Sequence, residues 1–359
     1  RYVDRFERVA GAWRIAHRSC AWDWARVDSF DPIPLDAGYV RGRSLADDPV
    51  AAHPSGSNRP VSSEQLLAKQ ACLDTLARYT RGVDRCDPAL VMSAYHEDAF
   101  DDHGGYQGDA AGFVAWVQPT VMDAFACTMH KLGQSLVEVK GDRAWAETYA
   151  IAHHVSVSGD TAADLIMGVR YLDVLEDRGT GWKIADRRMT FEWERLVPLG
   201  SQVPHPGFSV GLRDGSDPVL AAQAGGRVAV PATVERAADR AEIQAVLLRY
   251  CRGVDRRQSH LIRSAYHLDA WDDHGTYQGG LEGFLAFVAE EVWSRFRLTM
   301  HKLGQALIEI EGDTAVCETY AVCHHVSTEG ERDRQDLVMG IRYLDRFERR
   351  AGEWRIARR

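Results

Sequence analysis

The chain has 359 residues, 45% of them hydrophobic and 26% charged, with a formal net charge of −9 at neutral pH. That length suits two domains better than one, and the balance is that of a globular chain rather than a disordered or fibrous one. The acidic surplus excludes a nucleic-acid partner. No run of 18 apolar residues and no secretory core is present, which excludes a membrane span and leaves the cytoplasm as the expected compartment and a small molecule as the expected partner.

Residues 1–18, RYVDRFERVAGAWRIAHR, are nearly identical to the chain's last residues, RYLDRFERRAGEWRIARR, and a third version, RYLDVLEDRGTGWKIADR, occupies 170–187. Residues 1–28 therefore read as an orphan C-terminal hairpin of a preceding repeat, and the expectation is that the chain is a piece of a longer array. The stretches 29–62 and 201–234, rich in Pro, Gly, Ser and Asp, read as linkers around two whole domains at 63–200 and 235–359.

Within each domain the same strings return. ARYTRGVDR (77–85) recurs as LRYCRGVDR (248–256), SAYHEDAFDDHGGYQG (93–108) as SAYHLDAWDDHGTYQG (264–279), TMHKLGQ (128–134) as TMHKLGQ (299–305), and ETYAIAHHVS (147–156) as ETYAVCHHVS (318–327). In the first domain, Leu66, Leu67, Leu73, Leu76, Tyr79 and Val83 fall near helical spacing over 64–85. A short helix is predicted around 88–96 and a third over 109–124, with Asp109 as its N-cap. Strands follow at 127–139, 143–157, 164–176 and 181–195, separated by Gly-Asp and Gly-Thr-Gly turns. Helices first and a meander of long strands after give an α+β class: two tandem cones, each with three helices on a curved, mainly antiparallel sheet. Helices cover only one side of such a sheet, so the two copies are expected to pair through their sheet faces, as an internal pseudo-dimer or in a homo-oligomer.

The seven cysteines keep no equivalent positions between copies, which argues against a duplicated disulfide or metal site. No metal is expected.

The Tyr-x4-Asp helix end, the YHxDAxxDDHGxYxG segment, the TMH strand and the closing GxWRI hairpin resemble the SnoaL-like superfamily. Its members share the fold of nuclear transport factor and include polyketide cyclases, scytalone dehydratase, bile-acid dehydratase, hexachlorocyclohexane dehydrochlorinase and ketosteroid isomerase. The resemblance implies a cofactor-independent cone enzyme in which an Asp at the end of the first helix pairs with a strand His.

His130 and His301 share a strand face with Thr, Leu and Gln, which suits a mostly apolar pocket with few polar groups. A core histidine satisfied by a neighbour is the alternative. Asp84 and Asp255 sit at helix C-termini, where an acid is unfavourable, so either the flanking arginines neutralise it or it orients the histidine. The resemblance implies the second, and gives Tyr79 and Tyr250 a part in binding or polarising a substrate oxygen; plain core packing is the alternative. His154 and His325, Arg170 and Arg342, and Trp116 are expected to bind substrate; for the two arginines, an acid such as Glu147 or Glu318 is the alternative partner to an anionic substrate. Asp101, Asp102 and His103, with their repeats Asp272, Asp273 and His274, are expected to form a turn at the cone's edge, because three successive side chains cannot face one way. The resulting expectation is a lyase of dehydratase type acting on a small, apolar, cyclic compound. An isomerase or cyclase with the same site, or a binding module without catalysis, stands as the alternative.

Overall fold

The computed structural model describes residues 2–9, 12–20, 40–41, 62–156, 162–199, 211–214, 216–217, 233–327 and 336–359. The remaining residues, which include most of both expected linkers, lie outside the described residues.

Strands β1 (Tyr2–Val9) and β2 (Ala12–Cys20) form a two-stranded antiparallel hairpin. Its Phe6 and Ile15 are exposed, whereas their equivalents Phe347 and Ile356 are fully buried in the second unit. A two-residue strand, β3 (Val40–Arg41), runs parallel to β9 of the first unit.

The first unit opens with α1 (Ser63–Asp84), started by a capping box in which Ser62 and Gln65 each satisfy the other's backbone N–H. Helix α2 (Pro88–Ser93) is capped by Asp87, and α3 (Ala110–Val117) by Asp109, which accepts from Gly112. A single π-helical stretch, Gln118–Met122, ends it. The strands are β4 (Tyr95–Asp102), β5 (Gln107–Asp109), β6 (Cys127–Lys140), β7 (Arg143–Ser156), β8 (Ala163–Asp177) and β9 (Trp182–Pro198), paired in the order β5-β4-β9-β8-β7-β6. All these pairings are antiparallel except β4 with β9, so the sheet is mixed. The sequence reading assigned no strand to 95–102; that segment is the return strand that lets the helices fold back over the sheet.

The second unit repeats the plan with α4 (Val234–Asp255), α5 (Ser259–Ala265), β10 (Tyr266–Asp273), β11 (Gln278–Gly280), α6 (Leu281–Phe287) and β12 (Phe296–Glu311), then β13 (Thr314–Ser327), β14 (Asp336–Arg350) and β15 (Glu353–Arg358). Its sheet order is β11-β10-β15-β14-β13-β12. Each unit encloses its own apolar core between helices and sheet.

A glycine fixes the angle at which the first helix meets the second. A Cβ on Gly82 would lie 2.7 Å from both Val91 Cγ2 and Val91 N, and one on Gly253 would lie 2.7 Å from Ile262 Cγ1. Only glycine permits that approach, and two residues later stands the aspartate of each unit.

The two units touch by unlike surfaces. Tyr320 and Val322, on the outer face of the second sheet, pack against Met129 of the first unit, and Tyr320 is 0% exposed. The equivalent Tyr149 is 43% exposed. Arg81 of α1 pairs with Glu318 at 3.3 Å, and Arg240 of α4 with Asp74 at 2.9 Å. From the connector, the buried Asp217 bridges Arg85 of the first unit at 3.2 Å and Arg342 of the second at 2.6 Å.

Candidate active site

Asp84 ends α1 with its side chain fully buried, and the strand beside it, β6, brings up Thr128 and His130. Three donors converge on the carboxylate. Its Oδ1 accepts from His130 Nδ1 at 2.6 Å and from Thr128 Oγ1 at 3.0 Å, and its Oδ2 accepts from the His130 backbone N–H at 2.9 Å. The second unit reproduces each bond: His301 Nδ1 to Asp255 at 2.6 Å, Thr299 Oγ1 at 2.9 Å, and the His301 N–H at 3.0 Å. A carboxylate only accepts, so each ring carries a proton on Nδ1, and Nε2 is the nitrogen turned away from the carboxylate. The awkward acid at the helix end is thus stabilised by the strand's donors; Arg85 turns away to Asp217 and to the Leu212 carbonyl.

Beside each of these rings lies a second imidazole. His154 meets His130 edge to face at 5.3 Å, and His325 meets His301 at 5.5 Å. Burial, with the neighbouring His130 second, pushes His154 down to about 3; burial and His301 push His325 down to about 4. Both therefore stay neutral, and the Nδ1 atoms of both are buried without a hydrogen-bond partner among the described residues. Strand register places Ala150, Ala152, Met167 and Val169 on the same sheet face, an aliphatic wall around the two rings.

The units differ at two positions of that wall, Val169 against Ile341 and Ala152 against Cys323, and only the second changes the chemistry. Ala152 stands opposite His130, and Cys323 stands opposite His301. Burial acts to lower His301, but the Cys323 thiol and the Asp255 carboxylate outweigh it and hold the imidazolium up to about 10.

A second polar network was not legible as such in the sequence. Tyr79 OH meets His103 Nε2 at 3.0 Å, His103 Nδ1 bonds Asp101, and Asp101 Oδ2 accepts from Tyr95 OH at 2.7 Å. Above it the fully buried Arg187 donates to Asp173 at 2.6 Å and 3.0 Å, its guanidinium 4.0 Å from the centre of the Tyr79 ring and 4.4 Å from that of Tyr171. Tyr250, His274, Asp272, Tyr266, Arg359 and Asp345 repeat the arrangement. The expected turn is present, closed by His103 N donating to the Tyr106 carbonyl at 2.9 Å and by Gly104 N donating to Asp102 at 3.0 Å, but the side chains of Asp101 and His103, two residues apart, share an inward face. Burial pushes the Tyr79 phenol well above its ordinary value, so it remains a neutral donor to His103.

For the arginines the acid alternative holds rather than substrate binding, and Trp116 lies apart from the histidines. Arg170 and Arg342 do not join the histidines. Arg170 pairs in register with Tyr149, on the opposite face from Ala152 and His130, and is held by Glu147 at 2.8 Å and Glu192 at 2.6 Å. Arg342 is spent on Glu318 and Asp217 at the contact between units. Trp116 belongs to the aromatic cluster of α3, stacked on Tyr106 with ring centres 6.1 Å apart. Among the described residues no group of three or more His, Cys, Asp or Glu side chains could hold a metal ion, and no helix is long and apolar enough to cross a membrane.

A helix-capped cone with a buried Asp–His pair, present twice, defines the class of protein. The chain belongs to the SnoaL-like family: the pattern of the SnoaL-like domain matches residues 64–188 and 235–359, more than half of the chain. An uncharacterized protein of Mycobacterium tuberculosis is 29% identical over 130 residues, which are 35% of this chain and 86% of that protein. Among solved structures, a hexachlorocyclohexane dehydrochlorinase from Novosphingobium barchaimii is similar at 28% identity and a TM-score of 0.32, covering 35% of this chain and 86% of that one. A nuclear-transport-factor-like protein with a cystatin-like fold from Novosphingobium aromaticivorans is similar at 21% identity and a TM-score of 0.31, covering 36% and 84%.

Proposed function

We propose that the protein is a cofactor-independent lyase of dehydratase type, acting in the cytoplasm on a small, apolar, cyclic compound such as a steroid, terpenoid or polyketide. His130 Nε2 removes a proton beside a carbonyl. Asp84 fixes the tautomer and stabilises the imidazolium that forms, a role worth about 10²–10⁴-fold when combined with general base catalysis. Neutral His154 offers a second ring to the departing group. Tyr79, backed by His103 and Asp101, supplies an O–H that can turn from His103 to the substrate oxygen as charge develops there. His301, Asp255, His325 and Tyr250 take the same parts in the second unit.

The observation that carries this reading is the threefold donation to each Asp carboxylate, which orients both rings and leaves Nε2 as the nitrogen that would act as the base once it carries no proton. An isomerase or cyclase begins with the same proton abstraction and is told apart by its product. The test is turnover of a panel of cyclic β-hydroxy and β-halo carbonyl compounds, followed by product mass. Wild-type protein should release water or halide, and His130→Ala with His301→Ala should not, at an unchanged melting temperature. A double variant as active as wild type would leave only a binding module.

A further inference from the structure

His130 lies on an edge strand. In the order β5-β4-β9-β8-β7-β6, strand β6 has a neighbour on one side only, so the backbone groups of alternate residues point out of the sheet with no ladder to receive them. The ladder with β7 also breaks its register between Leu132 and Ser135. An edge with a slip beside it is a poor mounting for a catalytic base.

The second unit repairs that edge with one side chain. Gln305 Oε1 accepts from Leu132 N at 2.9 Å, and Gln305 Nε2 donates to the His130 carbonyl at 2.8 Å. The amide thus behaves as a one-residue piece of neighbouring strand around the base. Its second N–H goes to Thr80 Oγ1 at 3.2 Å, on α1 four residues before Asp84. One amide, with both protons and its oxygen engaged, therefore ties the strand that carries His130 to the helix that carries Asp84. The connector adds a second tie at the same place: Arg213 donates to the Asp84 carbonyl at 3.3 Å, to Thr128 Oγ1 at 3.4 Å and to the Phe125 carbonyl.

The tie runs one way. The equivalent of Gln305 is Gln134, which is exposed, and the equivalent of Thr80 is Cys251. The first dyad is braced by the second unit, and Gln134 gives the second dyad no such brace.

We propose that Gln305 is a positioning residue for the first unit's dyad, so that the first site is complete only with the second unit docked on it. The inference rests on the dyad reading above, and its test reads both the chemistry and a property that needs no substrate. The His301→Ala protein reports the first site alone, and the His130→Ala protein the second. In the His301→Ala background, Gln305→Ala should lower kcat roughly tenfold or more with KM within about twofold, as small misplacements of a base do. Gln305→Glu, which keeps the shape but loses both donors, should not restore the rate. In the His130→Ala background, Gln134→Ala should change nothing.

The substrate-free readout is the proton on His130 Nδ1, seen by NMR at low field because it is held by Asp84. Gln305→Ala should shift it and speed its exchange with water. An unchanged proton resonance, or a kcat equal to the parent's, would reduce Gln305 to an interface bond. A fall in kcat accompanied only by a lower melting temperature would overturn the proposal equally. If no compound is turned over even by wild type, the lyase reading fails while the resonance still decides the role of Gln305.

Discussion

Cys323 stands opposite His301 across the β12–β13 ladder, where Ala152 stands opposite His130 across β6–β7. One side chain thus makes the two cones chemically unequal. With the Cys323 thiol and the Asp255 carboxylate beside it, His301 is held protonated, up to about 10, against the effect of burial. A protonated ring cannot serve as a base, so under the proposed chemistry the second site would act only at the alkaline end of the range.

This makes the second site's pH profile a test. With His130→Ala, kcat/KM should climb through the alkaline range, reach half its maximum near pH 10 and level off only above that. Cys323→Ala in that background should move the climb to lower pH. The stability sign is the opposite one: a folded value above the ordinary 6.5 stabilises the fold fully below 6.5, and the contribution disappears as pH rises through about 10. A profile unmoved by Cys323→Ala would show that the thiol does not act on His301.

The neutral pair His154 and His325 predicts acid sensitivity. Their folded values near 3 and 4 lie below the ordinary 6.5, so the unfolded chain binds more protons as the solution is acidified. Their contribution is present above pH 6.5 and is lost as pH falls toward 4. Melting temperatures measured from pH 7 to pH 4 should fall steeply for wild type and less steeply for His154→Phe with His325→Phe. Parallel slopes would exclude these rings as the cause.

Asp84→Asn with Asp255→Asn should stop the proposed chemistry without unfolding the units. The His130 N–H, bonded to Oδ2, can only donate and so claims the amide oxygen, while the Thr128 hydroxyl, which shares Oδ1 with Nδ1, can turn to accept from the NH₂ group placed there. The new NH₂ group then faces Nδ1 and forces the ring proton onto Nε2, the nitrogen that has to accept. We expect kcat to fall by about 10²–10⁴ with little change in KM. A fall in affinity alone would make the carboxylates substrate contacts instead.

Gly82→Ala reverses the usual sign of a helix substitution. Alanine in a helix is ordinarily about 0.5–1 kcal/mol better than glycine. Here its Cβ would sit 2.7 Å from Val91 Cγ2 and from the Val91 backbone N, and forcing α1 off α2 costs about 1–3 kcal/mol, so the net effect should be destabilising. Chemical denaturation would measure it. A stabilised variant would mean that the helix crossing is looser than described.

The repeat itself exposed much of this architecture to sequence reading. Two copies of TMH and GVDR, at matching places on a strand and a helix end, point to the pairs that the structure bonds at 2.6 Å. The long strands follow from alternation and Gly turns, with ends shifted by one to three residues. What stayed hidden has a common reason. Arg187 sits in the string DRR, which reads as a solvated strand end, yet it is fully buried because Asp173 on the adjacent strand neutralises it. Asp101 and His103 were read with Asp102 as one motif, although alternation separates the middle residue from its neighbours. Arg170 shows the converse: the sequence left it between an anionic substrate and Glu147, and register decided for Glu147 by setting both on one face. Pairing across strands decides each of these cases, and single-strand patterns do not contain it.

Asp217 belongs to neither cone, yet it is the joint where both are held, with Arg85 on one side and Arg342 on the other. Arg85 follows Asp84 directly in the chain. Arg342 of the second unit is thus joined through a single carboxylate to the neighbour of the first cone's orienting acid. The connector is therefore a structural member of the pair and not a mere tether, and it adds a further link to those that Gln305 and Glu318 make directly between the domains.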